Sequence, residues 1–481
     1  MTLTRLWVFL AIALPVLAAM LASLSSVDLT YQLRAGGEIL DARAIPTVDS
    51  WTFTALGLPW TDQQWGAQVV LEAIYRLGGW TGLVLLRAAL VGLIFGCLLV
   101  IGLRRDLGAR RAAWLTMAAF LVASPALALR PQLLGMACFA IVLLLVADRR
   151  EHPDRLWLVP VVVAVWANLH GSFFLGPLVV GLAWIEDVHD KVARPHRTLA
   201  VALVSVLAAG LTPFGPMVWA YAVGLSTNPG VTGRITEWQP TSLRDGAGLL
   251  FFGSVAAVVV LIARLGRATP WPTLLWLGTF AFIGAYAVRG EAWWPLAAVA
   301  AIAGVLVTAP VARAASGGLA AALDPPDTGL MGKLNLVVVG LVVVAIVALV
   351  PAWRPVEPAT GAPVGVLTHA PPGITAALRA VAKPGDRIFN PQPWGSWFEF
   401  ALPDTLVAID SRIELFPASV WDDYARVAAG VEGWQAILAG WKADYVVVEG
   451  PNPAFTARLE TAGWGKVVAG ETGSIWGRSG R

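Results

Sequence analysis

Residues 25–80 read SSVDLTYQLRAGGEILDARAIPTVDSWTFTALGLPWTDQQWGAQVVLEAIYRLGGW, a polar interval held between two strongly apolar runs. It carries acids at Asp28, Glu38, Asp41, Asp49, Asp62 and Glu72, with Tyr31, Trp51, Trp60, Trp65 and Tyr75 set among them. The runs on either side, 7–24 and 82–103, are each long enough to cross about 30 Å of hydrocarbon. The interval therefore reads as a loop joining two membrane spans, with its ionisable groups gathered at the membrane surface.

Composition agrees with that reading. The chain is 57% hydrophobic and 14% charged, with a mean hydropathy of +0.69, whereas soluble domains carry about 25% charged residues. The net charge of +3 is spread over short loops, which is a topology signal and no nucleic-acid footprint. Cys97 and Cys138 fall inside apolar runs and read as buried thiols, outside any disulfide framework or metal cluster.

Further apolar runs follow at 112–129, 132–147, 156–169, 172–185, 199–212, 247–263, 271–288, 294–309 and 334–352, about eleven spans in all. The first, at 18 residues, exceeds the usual core of a cleaved signal and is read as an anchor. With the N-terminus in the cytoplasm, the inner loops hold fifteen basic residues and the short outer loops seven. The positive-inside rule then puts 25–80 on the outer face, and the tail after residue 352 with it. The spans lack ionisable side chains apart from Arg87, which argues against an ion-coupled transporter.

Within the loop, Ser25-x-x-Asp28 predicts a helix start, with the helix ending at Gly36-Gly37. Asp28 is either a plain helix-start acid or a carboxylate offered to a lipid-linked headgroup. Ile45 to Ser50 reads as a turn, where Asp49 is a turn former or a reserve carboxylate, and Trp51 to Thr54 reads as a short extended piece. Thr61-x-x-Gln64 predicts a second helix to Gly78-Gly79, lying in the interface plane with Gln64, Gln68, Glu72 and Arg76 on its polar side.

These residues resemble bacterial membrane proteins of the GT-C glycosyltransferase superfamily, in a branch similar to protein mannosyltransferases. The pattern is Asp28, Gly36 or Gly37, Ile45-Pro46, Asp49, Thr52-Phe53-Thr54, Gly57 and Trp60-Thr61-Asp62-x-x-Trp65. It continues in Leu129-Arg130-Pro131-Gln132, Trp166 to Gly171, Thr212-Pro213-Phe214-Gly215, Thr236-Glu237-Trp238, Arg289 and Ile409-Asp410-Ser411-Arg412-Ile413-Glu414. The resemblance implies a polytopic enzyme using polyprenyl-phosphate sugars, with the acid after the first span as catalytic base or metal-associated carboxylate. It implies Asp28 in that role, with Asp49 and Asp62 in reserve. The chain departs from the pattern at Thr30-Tyr31-Gln32, where relatives carry aromatics and histidine, and at Gln64, where they often carry Glu.

Outer-loop cations and polar groups complete the candidate site. Arg130 suits a phosphate because its guanidinium forks two oxygens, and it is equally a plain juxtamembrane anchor. His170 is a donor to phosphate or a polar turn residue. Glu237 and Arg289 join the substrate-binding candidates, Arg289 having the neighbouring Glu291 as an alternative partner. A divalent cation, Mg or Mn, is compatible with outer-loop acids.

After a linker at 351–372, the tail reads as a small α/β domain. Strands are predicted at 387–390, 405–410, 444–448, 466–469 and 474–476, and helices at 421–429, 434–441 and 453–462. Asp410 and Arg412, at a strand end, are substrate contacts or an internal ion pair. Trp394 to Trp397 is a sugar-stacking run or core.

The expected architecture is thus an all-α polytopic membrane bundle, residues 1–352 with outer loops at 25–80 and 213–246, followed by an extracytoplasmic α/β domain, 353–481. The expected location is the plasma membrane, multi-pass, with a cytoplasmic N-terminus and a cytoplasmic linker near 309–332. The leading function is sugar transfer from a polyprenyl-phosphate donor to a glycan, lipid or protein acceptor. The alternative is a non-catalytic scaffold or assembly factor for envelope glycans.

Overall fold

The computed structural model describes residues 1–227, 233, 236–308 and 329–478. Arg234 and Arg313, which enter the charge comparison, lie outside the described residues. So do 309–328 of the expected linker and parts of the loop at 213–246.

Every apolar run falls on a helix. In chain order the first nine are α1 Leu3–Leu21, α2 Leu29–Ala42, α3 Trp65–Arg104, α4 Ala109–Ala123, α5 Pro131–Ala147, α6 Val159–Leu169, α7 Leu175–His189, α8 Pro195–Ala208 and α9 Met217–Thr227. The helices Gly246–Leu265, Trp271–Tyr286, Trp293–Thr308 and Leu330–Ala348 follow. Five described helical segments are long and apolar enough to cross a membrane: Leu3–Leu21, Trp65–Arg104, Gly171–His189, Gly246–Ala268 and Leu330–Ala348. The apolar helices Pro131–Ala147 and Pro195–Ala208 are shorter.

The chain divides into two compact units, and the division differs from the sequence-based boundary. The first unit is Met1–Ala22 with Val84–Val350, and the second is Ser23–Leu83 with Pro351–Arg481. The first loop belongs with the tail, because its backbone completes the tail's sheet.

In the first unit, α1 packs on α4, and Ala11 and Ala112 share a core with Leu99 and Leu103 of α3. Phe139, Trp166, Phe280 and Trp293 form a ring-on-ring centre. Gly135 lets α5 come close to this centre, since a Cβ there would lie 2.8 Å from Trp166 Nε1. Arg87 is buried, and it donates to the carbonyls of Ala19 (2.6 Å) and Ala22. It thereby satisfies oxygens that the end of α1 leaves without helical partners. Cys97 and Cys138 are free and buried.

In the second unit, α2 starts at Leu29 and passes through Gly36-Gly37 to end at a left-handed Arg43. The glycines do not stop it. Gly36 instead permits contact with α3, since a Cβ there would lie 2.2 Å from the Gln68 carbonyl oxygen. α3 is broken at Gly79, at φ 56°. Before the break its polar side turns inward: Gln68 and Glu72 are buried, contrary to the expected interface helix. They tolerate burial because Gln68 donates to Asp62 and Glu72 accepts from Arg76.

The tail forms a hairpin of β1 Val356–Glu357 and β2 Ala362–Pro363. Its main sheet contains β3 Arg387–Phe389, β4 Leu406–Val407, β5 Tyr445–Glu449, β6 Trp464–Gly470 and β7 Gly473–Arg478, in the order β4-β3-β5-β7-β6. β4, β3 and β5 run parallel, and β7 and β6 are antiparallel additions. The helices Ala418–Ala429, Trp434–Trp441 and Pro453–Thr461 lie close to their predicted ranges. Pro372–Val381 and Gln392–Ala401 are further helices that the sequence reading does not contain. Trp394 and Trp397 lie on the second of these and are core, Trp397 donating to Thr375 Oγ1 at 2.8 Å.

Beside β4 the first loop adds its own backbone. Phe53 N–H donates to the Val407 carbonyl at 3.0 Å, and Val407 N–H to that of Trp51 at 3.1 Å. Tyr31, Trp51 and Trp60 share a core with Ile409, Leu415 and Phe416. Arg34 of α2 donates to the Glu399 carbonyl at 2.8 Å.

Candidate functional site

In the first unit, Arg130 stands in extended conformation just before α5. Pro131 opens the helix there, where a missing N–H costs nothing. Glu237 sits on the short turn Thr236–Trp238 and Arg289 on the turn Val288–Gly290. The two turns are tied by Val288 N–H to the Gln239 carbonyl at 3.0 Å. Arg130 Nη1 donates to Glu237 Oε1, and Arg289 Nε lies 3.4 Å from Glu237 Oε2. Gln132 steadies the second turn through the Arg289 carbonyl at 3.3 Å. The Arg289 guanidinium also covers the Trp238 ring at 5.2 Å.

One carboxylate thus faces two guanidiniums. Burial would raise the Glu237 carboxyl, but Arg130 and Arg289 together hold it below its ordinary value. The Nε atoms of both arginines have no hydrogen-bond partner among the described residues. The cluster has positive charge and donors to spare, which suits a second anion. Glu291 does not pair with Arg289; its carboxyl is pushed up by burial.

His170 ends α6 and is 6% exposed. Its Nδ1 accepts the Ser172 N–H at 3.2 Å and lies 2.7 Å from Ser172 Oγ. Ser172 in turn accepts from Trp166 Nε1 at 3.2 Å. A backbone donor on Nδ1 leaves the proton of the neutral ring on Nε2. Burial, and then Arg289 and Arg130, hold its pKa well below the ordinary histidine value. His170 is therefore a neutral N–H donor. Sequence reading named it but not Ser172, whose position two residues on is the signal that fixes the ring.

In the second unit the three loop acids have different surroundings. Asp28 is half-buried at the N-cap of α2 and makes no side-chain cap bond. Burial, then the charges of Asp28, Glu414 and Asp62, push the Tyr31 phenol up. Asp62 is buried and accepts from Gln68 Nε2 at 2.7 Å. Burial pushes its carboxyl up to about 7. Glu414, also pushed up by burial, senses Asp28 and Asp410. It closes the Ile409–Glu414 motif of the sequence, yet it was not among the predicted site residues.

Asp49 has a structural task. It is 1% exposed, accepts from Thr52 Oγ1 at 2.7 Å and Thr52 N–H at 3.1 Å, and pairs with Arg412 Nη2 at 2.7 Å. Arg412 is itself 1% exposed and donates from Nε to Asp410 at 2.7 Å. It lies under the rings of Trp51 and Trp60, 4.3 and 4.6 Å from their centroids. Glu399 completes the group 3.6 Å from Arg412, its carboxyl pushed up by burial and by Asp410. Asp49, Asp410 and Arg412 are buried and bonded to one another, while Arg412 Nη1 and both Glu399 carboxylate oxygens have no hydrogen-bond partner among the described residues.

Among the described residues, Asp148, Glu151 and His152 are the group with metal-ligand spacing, their atoms within 4.8 Å of one another. They lie past the end of α5 remote from Arg130. Asp148 there already receives Arg104 and lies 3.3 Å from Arg155.

The first unit is thus a bundle of apolar helices, and the second a small mixed α/β unit that takes in the loop after the first helix. Solved structures with a similar fold are known. The chain is similar to the oligosaccharyltransferase AglB of Archaeoglobus fulgidus in complex with an inhibitory peptide and a dolichol-phosphate. The TM-score is 0.56 at 11% identity, over 92% of this chain and 69% of that one. The apo form of the Archaeoglobus fulgidus oligosaccharyltransferase gives 0.53 at 12% identity over the same shares. The arabinofuranosyltransferase AftD from Mycobacteria gives 0.50 at 17% identity, over all of this chain and 40% of that one. No family model and no curated protein sequence matches the chain. The likeness is one of fold.

Proposed function

We propose that the protein is an integral membrane glycosyltransferase. It moves a sugar from a polyprenyl-phosphate donor to a glycan, lipid or protein acceptor on the outer face of the membrane. The observation that carries this reading is the Arg130–Glu237–Arg289 cluster, two guanidiniums with unspent Nε donors on one carboxylate. A lipid phosphate leaving as an anion needs such donors, and the neutral His170 adds its Nε2–H. Asp28 is the carboxylate that takes the proton of the incoming hydroxyl as its oxygen bonds to the sugar and the sugar–phosphate bond breaks. About eleven spans, a cytoplasmic N-terminus and an outward-facing tail belong to the same reading.

The second unit offers oxygens of the kind a divalent cation takes. Asp62 Oδ2, Gln32 Oε1 and Gln68 Oε1 are buried oxygens without partners among the described residues, and hard cations take oxygen ligands. When bound, such an ion would add positive charge for the donor phosphate.

Asp28→Asn tests the assignment. With normal insertion, the variant is expected to lose about a hundredfold or more of transfer from radiolabelled polyprenyl-phosphate sugars in membranes. Wild-type transfer by the variant sinks the role of Asp28. One observation favours the scaffold alternative: Gln64 accepts from Gln32 at 3.0 Å, a neutral pair where relatives often place an acid. Absence of transfer by wild type across all donors favours that alternative.

A further inference from the structure

α5 carries charge beyond both of its ends. Arg130 precedes Pro131 and Arg149 follows Ala147 by two residues, about 25–30 Å apart at ~1.5 Å per residue. At the Arg149 end, a cavity of about 220 Å³ opens between α5, α7 and the helices Trp271–Tyr286 and Trp293–Thr308.

Three arginines line it, and they are not equivalent. Arg149 is spent on Asp187 at 2.8 Å and Glu186 at 2.7 Å. Arg150 is spent on Asp187 at 3.0 Å and Asp190 at 2.8 Å. These two arginines are thus shared among three carboxylates, Glu186, Asp187 and Asp190. Arg105 has no carboxylate within ion-pair distance among the described residues. Its Nη2 donates to the Ala147 carbonyl at 3.3 Å, and its Nη1 would lie 3.8 Å from a Cβ placed on Gly304.

Two further donors stand on the same wall. Trp276 is 7% exposed and its indole N–H has no acceptor among the described residues. Thr273 contributes a hydroxyl, and the remaining wall is largely aliphatic. The cavity therefore has an indole N–H without an acceptor and a guanidinium without an ion-pair partner among the described residues, next to apolar surface. It is smaller than the ~300–1,000 Å³ of pockets for drug-sized ligands. A single phosphate with a short substituent fits, whereas a nucleotide sugar does not.

We propose that this cavity is a phosphate site, separate from the Arg130–Arg289 cluster, in which Arg105 is the principal cation. Its ligand is a phosphate group, supplied either by an anionic lipid headgroup or by the free ion. Basic cavities between membrane helices take lipid headgroups by the same physics.

Full-length protein in detergent tests it by native mass spectrometry and thermal shift, with phosphatidylglycerol, phosphatidylcholine and inorganic phosphate as probes. Wild type is expected to retain phosphatidylglycerol over phosphatidylcholine. Arg105→Gln should weaken that binding about tenfold, the loss of a charge-assisted hydrogen bond. Thr273→Val leaves every ion pair intact, serves if Arg105→Gln fails to fold, and should cost about threefold. If inorganic phosphate binds alone with the same dependence on Arg105 or Thr273, the free ion is the source and the site stands. Equal retention of both lipids, with neither lipid nor phosphate binding altered by a folded variant, overturns it.

Discussion

Two arginine–carboxylate clusters in this protein have opposite stoichiometries. In the second unit, one guanidinium, Arg412, meets Asp49, Asp410 and Glu399 in a fully buried setting. In the first unit, two guanidiniums, Arg130 and Arg289, meet the single carboxylate of Glu237, and all three stay partly exposed. The first arrangement is fully buried, with aromatic rings over the cation and carboxyl groups in excess, and it reads as structure. The second leaves donors over and reads as a place for another anion. A buried charge pair is thus poor evidence of a ligand site unless its charges fail to balance on the accessible side.

Arg412→Ala should break the contrast most severely. It leaves three carboxyl groups in the core without their cation, a cost of about 3–5 kcal/mol. Thermal melting, or protease sensitivity of the tail, measures it. A loss under about 1 kcal/mol would mean that the cluster is not holding the unit together. Arg130→Ala should instead leave melting nearly unchanged and lower transfer about a hundredfold, the scale of one lost donor to a developing oxyanion. Equal losses of stability from the two substitutions would erase the distinction.

Asp62 sharpens it through pH. Its folded pKa of about 7 lies above the unfolded value near 4. The proton it keeps favours the fold fully below about pH 4, and that contribution is lost as pH rises through about 7. Asp62→Asn titrates nothing, so it should gain on wild type between about pH 4 and pH 7, by about 1–3 kcal/mol at pH 8. A pH-independent difference between the two melting curves contradicts the burial of that carboxyl. The smallest effect is expected from Glu237→Gln. Removing the one anion from the open cluster should tighten polyprenyl-phosphate binding about threefold to tenfold, read by titration; weaker binding would give Glu237 a direct hold on the ligand.

Much of this was legible in the sequence. Apolar runs marked the helices of the first unit, since hydrophobic length is written residue by residue, except α9 Met217–Thr227, which lies in the interval read as the outer loop 213–246. Short apolar stretches marked the five strands of the tail's main sheet. The acidic loop, Arg130, His170, Glu237 and Arg289 were also visible as residues. Their pairing was not: Glu237 meets Arg130 across more than a hundred residues, and only tertiary packing decides that. The inward turn of Gln68 and Glu72 escaped because each depends on a partner, Asp62 or Arg76, that periodicity does not reveal. Gly36-Gly37 looked like a helix end, whereas Gly36 exists for the approach of Gln68. Glu414 was in plain sight, and only proximity to Tyr31 and Asp28 gives it significance.

The backbone pairing of Trp51 and Phe53 with Val407 has a consequence for biosynthesis. The edge of the tail's sheet is completed by a segment made some 350 residues earlier. Until Val407 has emerged, that segment must wait unpaired while the whole helical region is inserted. Closure over so long a separation is entropically slow. An isolated tail would present β4 as a bare edge, open to pairing with other chains. The second unit is therefore one that the ribosome delivers in two instalments.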